Sequence, residues 1–429
     1  MSSSRDRLEQ ALARIADPKG EGGRACLTVY AEAARAAADA ADARAKAGIS
    51  LGPVDGTIVT IKDLFDVAGE PTRAGSRIFA DAPPAKADAP VVQRLRAGGA
   101  VIAAKTNMTE FAFSGVGLNP HYGTPGNPAD RARIPGGSSS GAAVAAADHM
   151  CEIAIGTDTG GSTRIPAAMC GIVGFKPSQY RVPTEGAFPL SYALDSIGPI
   201  ARSVADCARA DAVMAGETFA PLEAAPVAGL RLGIPQGMLL TSFDDTVSQR
   251  FEAALKALGG AGVRLSDEPM PLLDPMMALN ARGGIPAAEA YAIHRGYIVE
   301  RQNAFDPNVR ARIARGANLT AADYVDMSRG RARLIRAMDA QLADLDALVL
   351  PTTPIVAPTV VEMENTETFN TKNMLLLRNT AVANFFDLTA ISLPIPGAGL
   401  PVGLMLVTRN GHDRRLFRIA AGIERLLAA

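Results

Sequence analysis

The strongest constraint on the fold is a pair of short apolar strands separated by one helical segment. A β-branched run over residues 56–62 is bounded by turn residues and predicts the first strand. A helix is predicted over residues 89–97 and is ended by the two glycines at positions 98–99. A second strand is predicted over residues 100–105. Strand, helix and strand in this order, with continuous apolar runs, predict an α/β protein with a mostly buried sheet.

The rest of the chain extends this pattern. Residues 5–47 are rich in Ala, Arg, Glu and Asp and predict two helices broken around residues 17–20. We therefore expect an N-terminal helical appendage over residues 1–47, while the chain length alone is compatible with two or three domains. Further strands are predicted over residues 227–234, 390–394 and 402–407, and a mostly helical region over 280–345.

Charge and cysteine spacing exclude several classes of protein. The chain has 43 Lys and Arg against 44 Asp and Glu, and no segment concentrates the basic residues, so we expect no direct nucleic-acid ligand. Its four cysteines form no C-x-x-C pair, which disfavours a zinc knuckle and a disulfide framework. A charged N-terminus and the lack of a run of about 18 apolar residues favour a cytoplasmic protein that does not bind a membrane.

Candidate bases are few. None of the four histidines has metal-ligand spacing, so we interpret them as structural or surface residues and expect neither a metal nor a cofactor. A serine nucleophile without histidine needs another base, and a lysine serves when burial lowers its pKa. Lys62 closes the first predicted strand and meets this description, as does Lys105. A lysine that merely extends out of a strand end is the alternative.

Two glycine-rich segments place serines where backbone N–H groups can approach a ligand. The first spans residues 136–141 and contains Ser138. The second spans residues 156–162 and runs into Pro166, which fits the first turn of a helix, so Ser162 is expected near a helix N-terminus. Its N–H groups could converge on a developing oxyanion. A phosphate cradle and a plain turn are the alternatives, but G-x-x-x-x-G-K-[ST] is missing.

Taken together, Lys62 and the segments 135–141 and 156–167 resemble the amidase signature family. The segments around these residues also match the family pattern: 105–111, 127–128, 170–177 and 194–199. The similarity covers residues 51–205, the expected signature core, and resumes weakly over residues 345–410. Residues 205–345 are expected to form a variable specificity region.

The resemblance implies one catalytic domain over residues 48–429, a three-layer α/β/α sandwich around a mixed, mostly buried central sheet, with the N-terminal helices outside. It implies Ser162 as the nucleophile, Ser138 as a bridging serine joined to Gly137 by a cis peptide bond, and Lys62 as the terminal base. The implied reaction is hydrolysis of a small-molecule carboxylic amide through an acyl-serine intermediate. The implied oxyanion hole consists of the N–H groups of Thr159, Gly160, Gly161 and Ser162.

Other functions stay open at this point. The resemblance also includes the glutaminase component of a glutamyl-tRNA amidotransferase, its A subunit, which typically has glutamine three residues after the nucleophile. Ile165 occupies that position here, is expected to contact substrate, and favours a hydrophobic acyl group over one with a carboxylate. A non-catalytic scaffold of the same fold is disfavoured because Lys62, Ser138 and Ser162 are all present. The N-terminal helices could also serve as a homodimer contact.

Overall fold

The computed structural model describes residues 2–429. Within that range, the strands of the central sheet are β1 (Cys26–Val29), β2 (Ile58–Lys62), β3 (Val101–Thr106), β4 (Ile153–Asp158), β5 (Val173–Lys176), β6 (Ser196–Ala201), β7 (Arg231–Pro235), β8 (Arg264–Glu268), β9 (Ala347–Pro351), β10 (Thr389–Ile395) and β11 (Val402–Thr408). They form one mixed sheet in the order β1-β3-β2-β4-β6-β5-β10-β11-β9-β7-β8.

Helices cover both faces of this sheet, which confirms the predicted α/β architecture. They are α1 (Ser4–Ala16), α2 (Gly22–Ala25), α3 (Ala31–Lys46), α4 (Pro90–Ala97), α5 (Ser140–Ala147), α6 (Arg164–Cys170), α7 (Val204–Ala215), α8 (Asp245–Gly260), α9 (Leu273–Asn280), α10 (Gly284–His294), α11 (Pro307–Ala314), α12 (Ala321–Gln341), α13 (Thr366–Phe385) and α14 (Asp413–Ala428). No helix in residues 2–429 is long and apolar enough to span a bilayer.

The alternation of side chains along each strand explains how both faces of the central sheet become buried. In β2, Ile58 belongs to the apolar cluster that contains α1, α3 and α5 residues, whereas Val59 and Ile61 belong to the opposite cluster with α4 and α7. Successive side chains of a strand point to opposite faces of the sheet, so a continuous apolar run fits a strand covered on both sides. The predicted strands at 56–62 and 100–105 are found as β2 and β3.

Three neighbouring parallel strands, β3, β2 and β4, position the functional residues. β2 pairs in parallel with β3 on one side and with β4 on the other. The carboxyl ends of β2 and β4 therefore meet at the same edge of the sheet, where Lys62 ends β2 and Asp158 ends β4. Ligands of α/β sheets commonly bind at this edge.

The N-terminal segment differs in one respect from the sequence prediction. The two predicted helices are found as α1 and α3, but β1 lies between them and pairs antiparallel with β3 at the edge of the sheet. A strand of only four residues between two alanine-rich helices gives too short a pattern to identify. The division of the chain at residue 47 stays a prediction.

Close strand packing makes β6 sensitive to an added side-chain carbon. A Cβ placed on Gly198 would lie 2.0 Å from the carbonyl oxygen of Phe175, which belongs to a neighbouring strand. Gly198→Ala is expected to lower the free energy of unfolding by about 2–3 kcal/mol because the strands must separate. Gly259→Ala is the matched control, since Gly259 is exposed in α8 with its nearest neighbour 3.9 Å away. Denaturant unfolding should show this control equal to or slightly more stable than the wild type, and equal stability of the two variants would contradict the packing argument.

Candidate active site

Lys62 is buried at the carboxyl end of β2, and its amine is placed by two hydroxyl groups. Its Nζ lies 2.7 Å from Ser138 Oγ and 2.8 Å from Thr157 Oγ1. Burial lowers the pKa of Lys62 to about 7, because desolvation disfavours the ammonium more than the nearby Asp195 and Asp158 favour it. A substantial neutral fraction of the amine is therefore present near neutral pH.

Ser138 is held in a tightly packed glycine loop before α5. The peptide bond between Gly137 and Ser138 is cis. The Gly137 N–H donates to the Gly115 carbonyl at 2.8 Å, and the Ser138 carbonyl accepts from the Thr109 N–H at 3.0 Å. A Cβ on Gly137 would lie 2.6 Å from the Gly117 nitrogen, so glycine is needed for this close approach.

Ser162 lies at the end of the second glycine loop, immediately before α6. Its carbonyl accepts a hydrogen bond from the Ser139 N–H at 3.3 Å, which joins this loop to the one that carries Ser138. Its residue exposure is 4%. The structure thus places Lys62 at hydrogen-bond distance from Ser138 and joins the loops of Ser138 and Ser162 through their backbones. The roles of Lys62, Ser138 and Ser162 stay predictions.

A buried ion pair fixes the shape of the Ser162 loop. Arg164 Nη2 lies 2.9 Å from Asp158 Oδ1, and both side chains are fully buried. Asp158 also accepts from the Gly161 N–H at 2.8 Å and from the Thr163 N–H at 3.1 Å. Burial alone would raise the pKa of Asp158, but the charge and hydrogen bonds of Arg164, with a hydrogen bond from Asn384, hold that pKa far below its usual range.

The candidate oxyanion donors are not equivalent. The Gly161 N–H is engaged with Asp158, so this one of the four implied donors is already used within the loop. On the other side of the loop, Thr159 Oγ1 donates to Asp195 Oδ1 at 2.5 Å. Burial raises the pKa of Asp195 to about 6, against the lowering effect of hydrogen bonds from Thr159, Ser191 and Leu190.

Ile165 is fully buried on the first turn of α6. It belongs to an apolar cluster with Leu376 and other residues, and its Cδ1 lies 3.2 Å from where a Cβ on Gly115 would stand. The same atom lies 2.7 Å from where a Cβ on Gly161 would stand. Ile165 therefore packs between the Ser162 loop and the segment that binds the Ser138 loop. Its predicted contact with a substrate stays a prediction.

The other candidate bases have different partners. Lys105 is 1% exposed and lies 3.4 Å from Glu70 Oε2. His121 Nε2 lies 2.7 Å from Glu110 Oε1, and His294 Nδ1 lies 2.6 Å from the Tyr297 hydroxyl. The lysine and these two histidines are thus engaged in contacts outside the triad. No group of three or more possible metal ligands occurs in the described chain, residues 2–429.

Helix α13 supplies two polar contacts to the Ser162 loop that sequence reasoning missed. Thr380 Oγ1 donates to the Gly160 carbonyl at 2.6 Å, and Asn384 Nδ2 donates to Asp158 Oδ1 at 2.8 Å. Both residues are buried. Together with Asn373, they recur at helical spacing on a buried helix, which is a signal that could have indicated a polar stripe facing the site.

Arg312 on α11 was also missed, because it lies in the region where the family resemblance fades. Its guanidinium carbon lies 4.7 Å from the centroid of the Phe113 ring. Among the residues that the structure describes, its buried Nε has no hydrogen-bond partner. Burial and the neighbouring Arg315 lower the pKa of Arg312 to about 10. Phe113, the stacking partner of Arg312, is two residues before Gly115, whose carbonyl accepts from the Gly137 N–H.

Comparison with known proteins shows similarity to one family over nearly the whole chain. A family model described as Amidase matches residues 7–417. The 2-amino-5-chloromuconic acid deaminase of Comamonas testosteroni is 37% identical over 406 residues, covering 92% of this chain and 86% of that protein. The A subunit of the glutamyl-tRNA(Gln) amidotransferase from Anaeromyxobacter sp. (strain K) is 37% identical over 465 residues, covering 99% and 93%. A crystal structure of an amidase superposes with a TM-score of 0.88 at 34% identity, covering 99% of this chain and 96% of the other.

Proposed function

The chain belongs to the amidase family, and from that premise we propose that Lys62, Ser138 and Ser162 hydrolyse the carbon–nitrogen bond of a small-molecule carboxylic amide. One observation carries this proposal. The Lys62 amine is fully buried, has a pKa of about 7, and lies 2.7 Å from Ser138 Oγ. A neutral amine at hydrogen-bond distance from a serine is the geometry that a general base needs.

The proposed reaction begins with proton transfer along the triad. Ser162 Oγ bonds to the amide carbon, its proton passes to Ser138 Oγ, and the Ser138 proton passes to Lys62 Nζ. The tetrahedral intermediate then breaks its carbon–nitrogen bond, and the proton held by Lys62 returns through Ser138 to the leaving nitrogen. Water next attacks the acyl-serine with the same relay and releases the acid and free Ser162. Amide and water are consumed, and acid and amine or ammonia are formed.

The oxyanion of each intermediate is proposed to bind backbone N–H groups of the Ser162 loop. Because Gly161 already donates to Asp158, we assign this role to the N–H groups of Thr159, Gly160 and Ser162. This narrows the set of four donors that the family resemblance implies.

Arg312 supports a more specific substrate class, an amide whose acyl chain ends in a carboxylate. A guanidinium whose Nε is buried without a hydrogen-bond partner is costly, and a substrate carboxylate would supply the missing bonds. One relative is a deaminase of 2-amino-5-chloromuconic acid, a compound that is itself a carboxylic acid, and this supports the same class. Ile165 would then line the middle of the acyl chain, which revises the sequence-based preference for a wholly hydrophobic acyl group.

The amidotransferase component remains the second candidate function, since one such protein is 37% identical over nearly the whole chain. Ile165 in place of the typical glutamine supports a free-standing amidase. The cysteines, all of which are buried and unpaired, support the proposal that the enzyme works in the reducing cytoplasm.

Ser162→Ala is expected to abolish amide hydrolysis while the fold is retained, because no acyl-enzyme can form. Ser266→Ala, which removes an exposed hydroxyl in β8, is the matched control and should keep wild-type activity. Ammonia release from a panel of amides and circular dichroism spectra measure the two effects. A folded Ser162→Ala variant with activity within a few-fold of the wild type would reject Ser162 as the nucleophile.

Amide hydrolysis should depend on pH through Lys62. Below a pH of about 7 the amine gains a proton and can no longer accept one, so kcat/KM should fall about 10-fold per pH unit and reach a plateau above this pKa. Lys62→Arg should be nearly inactive, since guanidinium stays protonated. Lys256→Arg, an exposed lysine in α8, is the control. A normal turnover rate for Lys62→Arg would contradict the serine–lysine relay.

Arg312→Met tests the carboxylate-bearing substrate class. For succinamate, kcat/KM should fall roughly 10- to 100-fold, because a charge-assisted hydrogen bond is lost, whereas the value for neutral butyramide should change less than about 3-fold. Arg310→Met removes a partly exposed arginine from the same helix and should leave both values unchanged. Equal losses for the two substrates, or no loss for succinamate, would contradict the assignment.

A further inference from the structure

We propose that Thr380 of α13 is a positioning residue of the oxyanion hole, which rests on the proposed function of the Ser162 loop. Its hydroxyl fixes one end of the Gly160–Gly161 peptide group. Thr380 Oγ1 donates to the Gly160 carbonyl at 2.6 Å, while the N–H of the same peptide donates to Asp158 Oδ1 at 2.8 Å. Both polar atoms of this peptide are therefore bound, and its plane cannot rotate without breaking a buried hydrogen bond.

The orientation of this peptide determines where its neighbours point. The Gly160 N–H belongs to the preceding peptide group, and the Ser162 N–H belongs to the following one. Each is joined to the fixed plane through a single Cα, so rotation of that plane would redirect both donors. Oxyanion stabilisation depends on donors aimed in advance at the position where charge develops. Thr380 thus acts on the transition state through the loop, by holding these donors in place.

The space around Gly161 indicates that Thr380 and the loop fit each other closely. Gly161 has a φ of +136°, and a Cβ there would lie 2.2 Å from Thr380 Oγ1 and 2.7 Å from Ile165 Cδ1. The hydroxyl is also close to the Leu377 carbonyl, at 3.3 Å, and to the Leu376 carbonyl, at 3.4 Å. These longer contacts are the bonds that a threonine in a helix makes to its own backbone. The contact to Gly160 is much shorter.

The backbone of Thr380 is tied to the same network. Its carbonyl accepts from Arg164 Nη1 at 2.9 Å, and one turn later Asn384 Oδ1 accepts from Arg164 Nη2 at 2.7 Å. Because Arg164 also pairs with Asp158, it fixes the position of α13 relative to the Ser162 loop. The side-chain hydroxyl of Thr380 can therefore be removed while the helix stays anchored.

The test compares Thr380→Val, which keeps the shape and loses the hydroxyl, with Thr380→Ser, which keeps the hydroxyl. The probe is a fluorophosphonate that phosphonylates an activated serine and develops negative charge on its phosphoryl oxygen. We expect the second-order labelling rate of Ser162 to fall roughly 10- to 100-fold in Thr380→Val and to stay within about 3-fold of the wild type in Thr380→Ser. With an amide substrate, the loss should appear in kcat, with KM within about 2-fold.

The pH midpoint of the labelling rate separates positioning from a general structural effect. This midpoint reports Lys62, which Thr380 does not contact, so it should be the same in Thr380→Val and in the wild type. A shifted midpoint would mean that the substitution disturbs the triad and would overturn the proposal. Thermal unfolding of both variants verifies that the measured protein is folded.

The outcomes distinguish this inference from the proposed function. Normal labelling of Thr380→Val, or equal losses in the valine and serine variants, would overturn the role of the hydroxyl and leave the triad standing. If Thr380→Val does not fold, Thr380→Ala provides the same comparison with Thr380→Ser. Failure of the wild type to be labelled at Ser162, or unchanged labelling of Ser162→Ala, would instead overturn the proposed function.

Discussion

The arrangement of the site depends on the fully buried ion pair between Asp158 and Arg164. Two charges removed from water are tolerated only when their remaining hydrogen-bonding capacity is satisfied. Here Asp158 binds N–H groups on both sides of Ser162, and Arg164 reaches the α13 backbone at Thr380. The pair therefore joins the end of β4, the glycine loop, α6 and α13 in a single network. Loss of either partner would leave a buried charge unpaired, at a cost of about 3–5 kcal/mol.

The Lys62 amine is the second element, and it depends on the sheet. Parallel pairing of β2 with β4 places Thr157 beside the lysine, so the amine has a hydroxyl on each side although it is withdrawn from solvent. The same burial that lowers the pKa of Lys62 would be prohibitive without these two oxygen contacts. The buried surroundings of the Lys62 amine, which include Ser138, thus set both its basicity and the energetic cost of burying it.

Local patterns in the sequence predicted much of this structure. The β-branched run that forms β2 predicted a strand with Lys62 at its end, and the two glycine loops indicated Ser138 and Ser162. The helical spacing of Asn373, Thr380 and Asn384 could have indicated a polar stripe, but the partner of Thr380 could not be predicted, because Gly160 is 220 residues away in the chain and the contact depends on packing. Nor could the sequence tell that the Gly161 N–H is engaged by Asp158. The strand β1 was missed because four residues carry too little periodicity.

Arg312 lies over the ring of Phe113, which is two residues before Gly115. The residues assigned to bond cleavage lie on β2 and on the glycine loops, whereas Arg312 is carried by α11, in a region distant along the chain. Evolution could accordingly exchange or remove the guanidinium while the proton relay remains untouched. Under the role proposed for Arg312, such proteins are expected to diversify by changing the group that binds the far end of the acyl chain, while the reaction stays constant. Swapping α11 between relatives is, for the same reason, a rational route for engineering substrate choice.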